Sequence, residues 1–144
     1  MNIRTVVVGL DSSPRATTVL AAARELATKY GARLAIVRAV GMPVDFPETI
    51  IPMSSAQLAD KLLLSSQDTL KAQIAAIPPE MLLKGEARFG TPWQVICDMA
   101  TELKADLVVV GTHNRNAIDW FLGTTASRVT NHAPCTVMVI RAQG

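Results

Sequence analysis

The sequence is short of the residues that would place it in several large classes of protein. Only two of its 144 residues are cysteine, Cys97 and Cys135. That is too few for a disulfide framework, and the pair fits no zinc pattern. Aromatic residues make up 4% and the basic residues are scattered, which excludes a stacking platform or a charged track for nucleic acid. Charged residues reach only 18% against 49% hydrophobic, so the chain is too apolar to be disordered. No apolar run approaches the roughly 18 residues of a membrane-spanning helix. The opening MNIRTVVVGLDSS has one arginine, a short apolar run and then an acid, which is not the profile of a secretory signal. The net charge is a slight +2. These absences predict a single domain over residues 1–144, working in the reducing cytoplasm, with neither a nucleic-acid nor a membrane partner.

What is present is an alternation of strand and helix. Thr5 to Leu10 is a continuous apolar run, the mark of a strand buried on both faces. Ser13-Pro14 predicts a helix start, with a hydroxyl cap followed by proline. Val19, Ala23, Leu26 and Tyr30 repeat at helical spacing, and Gly31 supplies the stop. Leu34 to Val40 is a second strand. Residues Gly41 to Met53 hold three prolines and no period, so they predict a loop. A second helix places Leu58, Leu62, Gln73, Ile74 and Ile77 on one side and ends at Pro78-Pro79. Met81 to Phe89 is a weaker strand whose Lys84 and Glu86 mark an edge. Thr91-Pro92-Trp93-Gln94 predicts a capping box with proline in first helical position. The buried stripe of that helix is Ile96, Met99, Ala100 and Leu103. Asp106 to Gly111 is a fourth strand, and Thr112 to Asp119 a polar loop. A short helix runs from Gly123 to near His132, where the imidazole complements the helix dipole. Thr136 to Arg141 is the last strand. This alternation predicts an α/β fold, an open, mostly parallel sheet with helices on both faces.

Ligands of such sheets bind beyond the carboxyl ends of the strands. The first strand delivers Gly9, Leu10 and Asp11 there, and the fourth delivers Gly111, Thr112, His113 and Asn114. Gly123 opens a helix whose first residues are Thr124 and Thr125, and free N–H groups beside two hydroxyls favour an anion. Arg115 adds positive charge. No lysine of the Walker type, no nucleophile–base pair and no second carboxylate accompanies them.

Four segments together resemble the universal stress protein family. They are Val-Val-Val-Gly-Leu-Asp-Ser-Ser at the start, Arg88-Phe89-Gly90-Thr91-Pro92, the run from Ala105 to His113, and the ending from Gly123-Thr124-Thr125-Ala126 through Pro134 to Ile140. The resemblance implies a Rossmann-like five-stranded sheet in order 3-2-1-4-5. It also implies a homodimer joined through the last strand, Thr136 to Arg141. The ATP-binding branch of the family carries glycine, two residues, glycine, nine residues, glycine, then serine or threonine. Here Gly111, Gly123 and Thr124 match. Asn114 stands for the second glycine, and eight residues, Arg115 to Leu122, follow it.

Carried over, the resemblance places Gly9, Leu10 and Asp11 by the ribose or adenine, and Ala39 and Val110 by the base. Gly111, His113, Asn114 and Arg115 wrap the ribose and phosphates, and Gly123, Thr124 and Thr125 hold the phosphates. The expected ligand is ATP, with magnesium held through water by Asp11. The expected role is a dimeric stress-response or regulatory module, at most a slow hydrolase. The altered loop carries the competing reading, a nucleotide-free interaction protein of the same fold. Asp11 also has a plain structural reading, as the residue that starts the turn before the first helix.

Overall fold

A computed structural model describes residues 1–41, 54–112 and 123–141. Its elements alternate along the chain: β1 (Thr5–Leu10), α1 (Ala16–Tyr30), β2 (Arg33–Val40), α2 (Ser55–Ile74), β3 (Leu82–Phe89), α3 (Pro92–Glu102), β4 (Leu107–Gly111), α4 (Thr124–His132) and β5 (Thr136–Ile140). The strands form one parallel sheet in order β3-β2-β1-β4-β5. This is the order that the resemblance implies.

The middle strands are apolar on both faces because helices cover both. Val6, Val8, Leu34, Ile36 and Val109 pack with Val19, Leu20, Ala23 and Leu70 on the face of α1 and α2. Val7, Ala35, Val37, Val108 and Val110 pack with Val95, Ile96, Met99 and Val129 on the face of α3 and α4. Alternation along each strand therefore sends successive side chains to different helix pairs.

Asp106, just before β4, ties the amino-terminal ends of two strands together. Its Oδ2 accepts from the Arg4 and Thr5 amides at 2.8 and 2.9 Å. Those two backbone bonds hold its carboxyl below the usual aspartate range.

The two edges of the sheet differ. On β3, Lys84 and Arg88 flank Glu86 at 3.2 and 3.1 Å, and Arg88 also grips Glu102 of α3 with two nitrogens. The arginine lowers the titration range of both glutamates. On β5 the residues are Thr136, Val137, Met138, Val139 and Ile140, none of them charged, and Met138 is 36% exposed.

Several helix ends depart from the sequence expectation. Helix α1 starts at Ala16 with Arg15 as N-cap and no side-chain cap. The Asp11 carboxylate takes the Ser13 amide at 2.8 Å, and Ala16 donates to the Ser13 carbonyl. That turn spends the residues that Ser13-Pro14 would have used as a cap. Tyr30 is half-exposed rather than part of the buried stripe, since it sits in the last turn before Gly31 leaves the helix at φ 65°. Thr91 is the N-cap of α3, but its hydroxyl makes no capping bond, so the expected box with Gln94 is absent. Both residues are exposed, where water competes for the same groups. A reciprocal box forms instead on α2, between Ser54 and Gln57. Strand β5 ends at Ile140, one residue before Arg141. The expected loop over 42–53 lies outside the described residues.

Among the described residues no helix is long and apolar enough to cross a membrane. Cys97 is buried and Cys135 half-buried, and both thiols are pushed up by burial, as befits small apolar side chains.

Candidate functional site

Strand order decides which loops meet. Strands β1 and β4 are parallel neighbours, with Val8 opposite Val109. Leu10 and Gly111 are the last residues of these two strands, each two residues beyond that pair. The chain winds away from this pair in both directions, so the junction is a topological switch point, where open α/β sheets bind ligands.

A pocket of about 290 Å³ lies at the carboxyl end of β1 and β2, capped by α2 and α3. Leu10, Asp11 and Ala39 line it, three of the residues expected from sequence. Its size is near the lower end of the roughly 300–1,000 Å³ typical of ligand pockets, enough for a base and its sugar. Asp11 stays polar at its rim, half-buried, with Oδ1 accepting from Ser13. The wall also holds Ser12, Arg38, Leu62, Ser66, Pro92 and Ile96, which sequence reasoning missed. Pro92 and Ile96 were read only as helix signals, and Leu62 and Ser66 belong to a helix whose docking on β2 no local pattern reports.

A larger pocket of about 590 Å³ opens beside it at the ends of β2 and β3. Its wall is Val40, Gly41, Ala59, Phe89, Gly90, Thr91 and Pro92. With one hydroxyl among apolar groups, its described residues have little to orient a polar ligand, so chemistry favours the smaller pocket over the larger.

The remaining expected residues fall into three groups. Gly9, Val110 and Gly111 do not line the smaller pocket. Val110 is buried in the core under α3 and α4. A Cβ on Gly9 would stand 2.5 Å from the Ile96 side chain, and one on Gly111 would stand 2.7 Å from Val19 Cγ2. Close approach at these two glycines is therefore to helix side chains, not to open space. Gly123, Thr124 and Thr125 sit at the start of α4. Gly123 is its N-cap at φ 83° and ψ 160°, and no side chain caps the helix. The first turn holds no acidic residue, so its N–H groups and the Thr124 and Thr125 hydroxyls are suited to an anion. His113, Asn114 and Arg115 lie outside the described residues.

His132 ends α4 with Nδ1 2.8 Å from the Arg128 carbonyl and its ring 4.5 Å from that of Trp93. It joins α3 to α4 well away from the pocket residues in sequence and serves packing. Among the described residues no cluster of histidine, cysteine, aspartate and glutamate could hold a metal ion. Among the described residues, Asp11 is the single carboxylate on the pocket wall.

An open parallel sheet with a pocket beyond the carboxyl ends of β1 and β2, beside the switch point, and a glycine-led helix end after β4, defines an α/β fold of the doubly wound class. The universal stress protein family model matches residues 2–141, and the chain belongs to that family. A universal stress protein of Thermus aquaticus, from the 3' region of a QAH/OAS sulfhydrylase, is 31% identical, with 96% of this chain and 98% of the relative covered. Universal stress protein UspA from Lactobacillus plantarum superposes with a TM-score of 0.77 at 28% identity, covering 98% and 99% of the two chains. The fold is also that of the Archaeoglobus fulgidus universal stress protein in complex with dAMP, with TM-score 0.65, 24% identity and coverage of 97% and 99%.

Proposed function

We propose that this universal stress protein binds an adenine nucleotide, ATP foremost, and acts in the cytoplasm as a dimeric stress-response or regulatory module. The observation that carries the reading is the placement of Asp11 and Ala39 in one pocket on one side of β1, with a glycine-capped helix start on the β4 side. Base and ribose occupy the pocket, with the Asp11 carboxylate accepting from ribose hydroxyls. The phosphates meet the N–H groups and hydroxyls of Gly123, Thr124 and Thr125. His113, Asn114 and Arg115 belong to the same proposal through the loop that joins β4 to α4. The Archaeoglobus fulgidus relative with dAMP supports the ligand class. The chemistry proposed is binding and orientation rather than turnover, since among the described residues the pocket wall offers one carboxylate and no base–nucleophile pair. Any magnesium arrives with the nucleotide.

The test is mass spectrometry of small molecules released by denaturing the purified protein, with a thermal titration of ATP on the same stock. ATP at a hundred times its dissociation constant stabilises the fold by about 2.7 kcal/mol, a rise in melting temperature of roughly 5–10 °C for a chain of this size. No released nucleotide and no shift at millimolar ATP overturn the reading in favour of an interaction protein without nucleotide.

The dimer is proposed through β5, an apolar edge strand whose unpaired backbone groups can pair with a second copy. Val139→Lys is expected to shift the sedimentation profile from dimer to monomer. An unchanged profile would put the interface elsewhere.

A further inference from the structure

The two pockets at the carboxyl end of the sheet are neighbours of opposite chemistry. Val40, Gly41 and Pro92 line both of them. The smaller carries Asp11, Ser12 and Ser66 on its wall. In the larger, the Thr91 hydroxyl is the only polar side chain among the described lining residues. The backbone there offers little more, since the Gly90 amide is spent on the Val40 carbonyl at 3.1 Å and the Thr91 carbonyl accepts from Val95 at 3.0 Å. Phe89, level with Val40 across the β2–β3 pair, is 40% exposed. A Cβ on Gly41 would meet nothing within 4 Å, so the space beside this shared residue is open.

Strand order gives the crevice a direction. In the nucleotide reading, the phosphates sit at the start of α4 after β4, the ribose beside Asp11 after β1, and the base beside Ala39 at the end of β2. The next strand along that line is β3, about 5 Å further on, and the larger pocket opens there. The edge of adenine opposite its sugar bond carries C6 and the amino nitrogen N6. A substituent on N6 therefore leaves the base on the side of the larger pocket. An apolar group suits that pocket, because covering Val40, Ala59 and Phe89 removes apolar surface from water and leaves no polar side chain but Thr91 to satisfy.

We infer that the larger pocket is a subsite for an apolar substituent on N6 of the bound adenine nucleotide, so that N6-alkyl and N6-arylalkyl adenine nucleotides bind more tightly than the unmodified ones. The inference rests on the proposal that the smaller pocket holds the adenine base, and it names a ligand class within that proposal. ATP itself fills the smaller pocket and leaves the larger one unused.

The experiment is calorimetric titration of the full chain with ATP, N6-methyl-ATP and N6-benzyl-ATP. Affinity is expected to rise along the series, with N6-benzyl-ATP about tenfold tighter than ATP, the lower end of what burying an aromatic group gives. Ala59 lines the larger pocket and not the smaller, and Ala59→Phe fills the larger one from α2. In that variant the benzyl gain is expected to vanish while ATP binds as in the wild type. A melting curve checks that the variant is folded. If it is not, the wild-type series alone decides. N6-benzyl-ATP binding no tighter than ATP in the wild type overturns the inference and leaves the nucleotide proposal standing. So does a gain that persists in folded Ala59→Phe, which would seat the benzyl group elsewhere. Binding of none of the three overturns both.

Discussion

Gly123→Val is expected to abolish ATP binding, weakening it at least about a hundredfold, while the protein remains folded. Gly123 holds φ 83° and ψ 160° at the N-cap of α4. Residues other than glycine rarely adopt that combination, and forcing one there costs about 1–3 kcal/mol. A β-branched side chain also stands where a phosphate must come close to backbone N–H groups. Hydrogen bonds to a charged group are worth about 1.5–3 kcal/mol each, so losing two of them exceeds the 2.8 kcal/mol of a hundredfold change. Equilibrium dialysis measures the binding, and a melting curve separates it from the strain, which lowers the melting temperature by up to roughly 10 °C. Affinity retained in a folded variant would show that the phosphates are held elsewhere.

A different result is expected one strand end away. Gly111→Ala should cost about 2 kcal/mol of stability, within the range for overpacking a filled site. Its new methyl group would meet Val19 Cγ2 at 2.7 Å. Valine in a helix is confined to one strongly preferred rotamer, so the clash pushes α1 off the sheet rather than rotating a side chain away. The second substitution Val19→Ala removes the obstacle. In the double variant the two losses should fall short of adding by about 1 kcal/mol or more, as measured by urea unfolding. Simple additivity would mean that Gly111 matters for something other than the space beneath α1. The comparison with Gly123 is informative because both glycines fit one motif in the sequence. The structure gives one a conformational need and the other a packing need.

That distinction marks the limit of what the sequence reveals. Strands β1 and β4 are legible because burial on both faces leaves an unbroken apolar run, and Lys84 and Glu86 mark β3 as an edge for the opposite reason. The strand order is not a local property. It follows from the resemblance, and only the order makes Asp11 and Gly111 neighbours. Capping is read less well, since Ser13, Thr91 and Gln94 have suitable chemistry but the bonds depend on competition. Asp11 takes the Ser13 amide, and Thr91 is exposed. Asp11 thus does what its plain structural reading says, while its half-buried carboxylate also lines the pocket. Arg38 was invisible because one arginine in an apolar strand has no pattern. It lines one pocket with Leu62 and Ser66 of a helix that begins fifteen residues after β2 ends.

The unlike edges of the sheet bear on how far self-association can go. Pairing β5 with its own copy across a two-fold axis would use up the uncharged border of each molecule. What then faces outward at both ends is β3, with Lys84, Glu86 and Arg88. A third sheet has nowhere to add, because charged side chains on a border strand oppose further pairing. Under that pairing, the backbone geometry that builds fibres when both borders are open would stop at two copies, with the ions on β3 as the terminator of polymer growth. The apolar border on β5 would then be covered without opening a route to aggregates through the other one.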